Sequence, residues 1–133
     1  MKKILSTILM LLSLTSNAEW SELPNSTMFT KDMGMGNGTI YIDNKTIKKH
    51  KDYVYWWNMI DCGERCEGGN LSFKFYLQGD CGISRIRQLS FTTYKQPMVK
   101  GKGKTTNISN PEWEYPAPGE LPAGLLKYAC NRI

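Results

Sequence analysis

The stretch Asp52-Tyr53-Val54-Tyr55-Trp56-Trp57-Asn58-Met59-Ile60-Asp61 decides the fold. It is rich in aromatic and branched residues, the types that fit a pleated surface. With a period of two, Tyr53, Tyr55, Trp57 and Met59 fall on one face. Val54, Trp56, Asn58 and Ile60 fall on the other. Large side chains on both faces mean that both are at least partly covered. The stretch predicts the central strand of a sheet.

The flanking sequence supplies its neighbours. Residues 39–43 alternate, with Ile40 and Ile42 on one side and Tyr41 on the other, and Asn44-Lys45 predicts a turn. In residues 71–78, Leu71, Phe73, Phe75 and Leu77 alternate with Ser72, Lys74, Tyr76 and Gln78, as in a strand with one face on a core. Residues 83–94 predict a further, bent strand, and 97–104, where lysines alternate, an edge strand or hairpin arm. Residues 107–118, with three prolines and Trp113, predict an ordered coil. From residue 120 or 121 to 130 the period changes. Leu121, Leu125, Tyr128 and Ala129 make one helical stripe, and Pro122 fits the first turn. The fold expected is mainly β of the α+β kind: one antiparallel sheet of about six strands, with a single C-terminal helix packed on one face.

The whole chain has 133 residues, 41% hydrophobic and 22% charged, which suits one compact domain and excludes a disordered or collagen-like chain. Lys2 and Lys3, the apolar run 4–14 and Ser16-Asn17-Ala18 have the form of an export signal. Cleavage is expected after Ala18, so the organisation read here is a signal at 1–18 and a single domain at 19–133. No cysteine follows the signal to carry a lipid anchor. No later stretch approaches the roughly 18 apolar residues of a spanning helix. The expected location is the periplasm, the cell surface or the medium. The formal charge of +5 includes both signal lysines, and export argues against a nucleic-acid partner.

Cys62, Cys66, Cys81 and Cys130 make an even set in an exported chain, which predicts two disulfides. Three pairings are open. Cys62 and Cys66 flank a small loop that can close locally, which leaves Cys81 with Cys130. A zinc site is not expected, because the last two cysteines form no second close pair.

Catalytic inventory is sparse, and neither an enzyme nor a cofactor is expected. The one histidine, His50, lies in a lysine-rich turn without a nucleophile beside it. Asp61, Glu64 and Glu67 surround the small loop, but Arg65 stands among them and no groove is indicated. Residues 34–38 lack the lysine and hydroxyl residue of a phosphate loop.

Taken in order, several motifs carry a resemblance. They are Ile40-Tyr41-Ile42-Asp43, residues 54–61, Asp80-Cys81 through Arg85-Ile86-Arg87-Gln88-Leu89-Ser90, Trp113, Pro116-Ala117-Pro118-Gly119 and Leu125-Leu126-Lys127-Tyr128-Ala129-Cys130. Over roughly residues 38–130 the chain resembles the bacterial surface-adhesin protein E family. The resemblance implies a six-stranded antiparallel sheet with a C-terminal helix, a disulfide between Cys81 and Cys130, and the option of a homodimer. Adhesins of this type bind host vitronectin, laminin and plasminogen. The extra loop at Cys62 and Cys66 departs from the family pattern.

The function expected is therefore a non-enzymatic, adhesin-like protein-binding module, its partner a host matrix or envelope protein. The alternative is a small periplasmic inhibitor or envelope accessory protein, for example of a lysozyme-like enzyme, acting through the loop at 62–69. A helix covers one sheet face only. Binding is therefore expected on the other, through outward members of the set Tyr53, Tyr55, Trp56 and Trp57. Lys100, Lys102 and Lys104 are expected beside them and the 62–69 loop at the rim. The competing expectation is that Trp20, Leu23 and Phe29 fold back over these aromatics.

Overall fold

The computed structural model describes residues 18–24, 38–63 and 66–133. The expected signal, apart from Ala18, lies outside the described residues, as do Phe29, most of the glycine-rich turn, Glu64 and Arg65.

Seven strands form one sheet: β1 (Trp20–Glu22), β2 (Thr39–Asp43), β3 (Lys48–His50), β4 (Tyr53–Asp61), β5 (Ser72–Asp80), β6 (Arg85–Tyr94) and β7 (Lys104–Asn107). Among the described residues one α-helix, α1 (Leu121–Cys130), follows. All pairings are antiparallel, in the order β1-β2-β4-β5-β6-β7. β4 is the axis, as its composition predicts. Its inner edge is shared: β2 pairs with Asn58 to Asp61 and β3 with Tyr53 to Tyr55. A 3-10 turn at Asn44–Thr46 joins β2 to β3, with the Asp43 carboxylate accepting from the Lys45 amide at 3.1 Å.

The core lies between the sheet and α1. Ile40, Ile42, Val54, Trp56, Ile60, Leu77 and Ile86 meet Leu125, Leu126 and Ala129 there. The helix comes close because Gly79 leaves room. A Cβ at position 79 would overlap Leu126 Cδ1 and lie 3.0 Å from Trp56 Cζ3 and 3.1 Å from Val54 Cγ1. α1 has no side-chain N-cap and begins at Leu121-Pro122. A ten-residue helix is marginal alone, so tertiary ties hold it. Tyr128 Oη donates to Asn44 Oδ1 at 2.7 Å, and Cys130 is bonded to Cys81 just beyond β5 (S–S 2.03 Å).

Cys62 is bonded to Cys66, and both are buried in the core cluster. The bridge therefore ties the chain just after β4 to the core cluster. Replacing Cys62 by Ala should cost about 2 kcal/mol at most, since so short a loop restricts the unfolded chain little. Chemical denaturation of the variant beside one lacking Cys130 checks this; an equal loss in both overturns it.

The stretch at 97–104 is not a continuous strand. Pro97–Val99 is a 3-10 turn with positive φ at Met98 and Val99, and β7 starts only at Lys104. Long-range bonds hold that turn: Met98 N donates to Asp61 Oδ1 at 2.8 Å and Val99 N to Ser72 Oγ at 2.9 Å. Gly101, at φ +79°, turns the chain again. Lys100 and Lys102 thus sit in an exposed loop, and Lys104 opens the edge strand.

Candidate interaction face

The pleat gives the sheet two unlike sides. Val54 and Trp56 face α1, and Trp56 is fully buried, at 0% exposure. Trp56 is therefore a core residue and not part of a binding surface, which corrects its place among the candidates. Tyr53, Tyr55 and Trp57 point the other way and are half-buried. The register puts Lys74, Tyr76 and Gln78 of β5 on that same side, and Arg85 and Arg87 of β6 beyond them.

These side chains form two linked clusters. In the first, Lys74 Nζ lies 4.4 Å from the centre of the Trp57 ring. Trp57 stacks on Tyr76 at 4.8 Å, and Tyr76 on Tyr55 at 6.1 Å. In the second, the Arg85 and Arg87 guanidinium carbons lie 4.1 and 4.2 Å from the centre of Trp113, and Tyr53 lies 5.4 Å from it. Arg85 Nε also donates to Asp80 Oδ2 at 3.1 Å, the ion pair of this face. Gln78 links the clusters: its Nε2 donates to Tyr55 Oη at 2.7 Å, and its Oε1 accepts from Arg87 Nε at 2.5 Å.

Trp113 reaches this side because the segment after β7 runs along the first part of β6. Glu114 and Ile86 exchange two backbone hydrogen bonds of 2.8 and 3.0 Å. That places Trp113 and Glu114 on opposite faces.

Partial burial leaves its mark on the titrating groups. Desolvation lowers the Lys74 pKa, while the charge of Asp43 acts in the opposite direction. Desolvation raises the Tyr76 pKa, with Tyr55 adding to it. Cations held over aromatic rings and tied by hydrogen bonds lose little freedom on meeting a partner. The face can therefore present flat apolar area together with three fixed positive groups, Lys74, Arg85 and Arg87, beside the carboxylate of Asp80, while Asp43 on the same side is buried and Asp61 accepts from the Met98 amide.

The predicted residues divide three ways. Tyr53, Tyr55 and Trp57 come together, whereas Trp56 lies beneath them in the core. Lys104, on β7, pairs with Thr93, so β5 and β6 stand between it and β4. The cations that do join the aromatics, Lys74, Arg85 and Arg87, could have been found by continuing the period-two count across β5 and β6. Trp113 carried no such signal, because it lies in a proline-rich coil. Asp61 is occupied by the Met98 amide, and His50 is an exposed residue of β3 whose ring lies 6.4 Å from Tyr55. Among the described residues no group of histidine, cysteine or carboxylate side chains is arranged to hold a metal ion, and no helix is long and apolar enough to cross a membrane.

The architecture is similar to that of solved structures of Haemophilus influenzae protein E. Crystal form II matches with a TM-score of 0.57 at 13% identity, over 69% of this chain and 80% of that one. Protein E from non-typeable Haemophilus influenzae matches with a TM-score of 0.50 at 15% identity, over 69% and 66%. At such identities the likeness concerns the fold. No curated protein matches in sequence. The family profile described as Surface-adhesin protein E matches residues 21–131. The chain therefore belongs to the surface-adhesin protein E family, and is a non-enzymatic, protein-binding module that works outside the cytoplasm.

Proposed function

We propose that the sheet face opposite α1 is where this module binds its partner, with Trp57, Tyr76, Tyr55 and the Trp113 cluster as anchors. The observation that supports it most is the continuous run of half-buried rings and fixed cations across β4, β5 and β6. Aromatic and arginine side chains dominate binding energy at protein interfaces. The excess of positive groups favours an acidic surface on a host matrix or envelope protein, by steering as well as contact. The exported chain runs from Glu19 as one domain, its signal removed after Ala18. A homodimer through the same face would compete with the partner.

The test is a pull-down with the oxidised domain, offered matrix proteins and envelope extract in parallel. Changing Trp57 to Ala, or Tyr76 to Ser, should weaken capture at least tenfold and move the thermal midpoint little. Retained capture by both variants would place the site elsewhere. Unfolding of both would make these residues core. Size-exclusion chromatography of the same variants reads out self-association, and antibody labelling of intact cells separates surface display from a periplasmic location.

A further inference from the structure

We propose that the Ala18–Glu19 bond is a processing site, and that the amine released there is a built-in ion-pair partner of Asp43. The proposal rests on the export reading given above. Asp43 is buried, at 5% exposure. Among the described residues no lysine or arginine forms an ion pair with it. An uncompensated buried carboxylate is costly. What reaches it is the chain itself: the Glu19 nitrogen donates to Asp43 Oδ1 at 2.9 Å, beside the Lys45 amide at 3.1 Å on the same oxygen. The Glu19 carbonyl in turn accepts from the Asn44 amide at 2.9 Å. Residue 19 is thus held on both sides, and the register Trp20↔Asp43 continues directly from it into β1. In the uncut chain this nitrogen is a neutral amide. In a chain that starts at Glu19 it is an ammonium in the same place.

Cleavage adds water across the bond, with a leader peptidase as the catalyst. The hydroxyl goes to the Ala18 carbonyl carbon and the other hydrogen of the water to the Glu19 nitrogen as the C–N bond breaks, and the resulting acid then passes its proton to that amine. The leader departs with a carboxylate, and the domain keeps the –NH3+. Signal removal then does more than free the protein: it supplies the cation that fastens the first edge strand. The sequence motif Ile40-Tyr41-Ile42-Asp43 thereby has a reason to end in a carboxylate.

Other charges face the same carboxylate. Lys74 of β5, Lys45 of the 3-10 turn and Lys48 of β3 line a cavity of about 380 Å³ with Asp43, and Glu19 and Glu22 lie on the first strand's side. All of them are common to a chain starting at Glu19 and one retaining Asn17-Ala18 with its amine acetylated, so comparing the two isolates the terminal charge at residue 19. An α-amine ordinarily titrates near 7.7–8.0, and a carboxylate partner raises that value in the folded state. The added stability is therefore complete below the unfolded value and lost as pH rises through the folded one.

The thermal midpoint of the Glu19 form at pH 6–7 should exceed that of the extended form by roughly 5 °C. The gap should close by about pH 10–11, and Asp43→Asn should remove it at every pH. If Asp43→Asn does not fold, NMR titration of the 13C-methylated terminal amine decides, with a value above the ordinary range expected. Equal midpoints in the two forms, or an amine titrating at its ordinary value, overturn the ion pair. An intact mass of the exported protein that shows another start overturns the processing site, and with it the export boundary, independently of the pair.

Discussion

Replacing Trp56 by Ala is expected to lower stability by about 3–5 kcal/mol, while the same change at its neighbour Trp57 costs much less. The two tryptophans are adjacent and chemically identical, so the contrast isolates the pleat. Trp56 is fully buried in the layer between β4, β5 and α1, and its ring edge lies beside the position a Gly79 side chain would take. Its removal leaves a cavity that α1 cannot fill without moving Leu126 off its seat over Gly79. Trp57 keeps one side toward solvent and packs on Tyr76 and Lys74. Trp56→Phe should be milder than its lost volume suggests, because Trp56 Nε1 is buried without a hydrogen-bond partner among the described residues. Urea titrations of the three variants measure this. A whole domain holds about 5–15 kcal/mol, so Trp56→Ala should be largely unfolded at 37 °C if the parent lies near the lower bound. Equal losses at positions 56 and 57 would mean that the helix does not cover the face assigned to it.

Replacing Cys130 by Ser should cost about 2–5 kcal/mol. The bridge to Cys81 spans a sequence separation of 49, long enough to restrict the unfolded chain strongly. It also ends at the last residue of a helix that starts without a side-chain cap. In the variant, α1 depends on the packing of Leu121, Leu125, Leu126, Tyr128 and Ala129 and on the Tyr128–Asn44 hydrogen bond. Amide exchange should therefore accelerate first in α1 and only later in β4 and β5. Uniform acceleration across the sheet would show that the bridge acts on the domain as a whole and not on the docking of its helix.

Much of this was legible in the chain, for physical reasons that differ by element. β4, β5 and α1 were readable because burial on one side imposes a period, two for the strands and 3.6 for the helix. β4 has large side chains on both faces, however, so alternation could not say which tryptophan lies under the helix. That depends on Gly79, eighteen or more residues away, and on Leu126 above it. The lysine segment misled because alternation of Lys with Gly has the period of a strand and none of its packing. Its shape comes from Asp61 and Ser72, which receive the amides of Met98 and Val99. Trp113 was invisible as a site residue because it enters the face from a coil, through a pair of backbone bonds to Ile86 that no local pattern announces. The short strands β1 and β3 offer too few residues for any period, and their pairing follows from β2 and β4.

The bond between Cys81 and Cys130 also sets how the domain answers to pulling. Tension applied at the two ends of the folded chain passes from the last residues into Cys130, crosses the sulfur bridge and enters the chain again at Cys81. Everything between, namely β6, β7 and α1, lies off the load path. Under flow, a molecule anchored at one end and bound near the other can lengthen only through the part before Cys81. Roughly 170 Å of contour, from the 49-residue separation, stays out of reach while the bridge is intact. The strands that yield are β1 and its partners, peeled from an edge. Arg85, Arg87 and Trp113 sit inside the shielded half, so that part of the cationic face bears no direct load while the amino-terminal half is being drawn out.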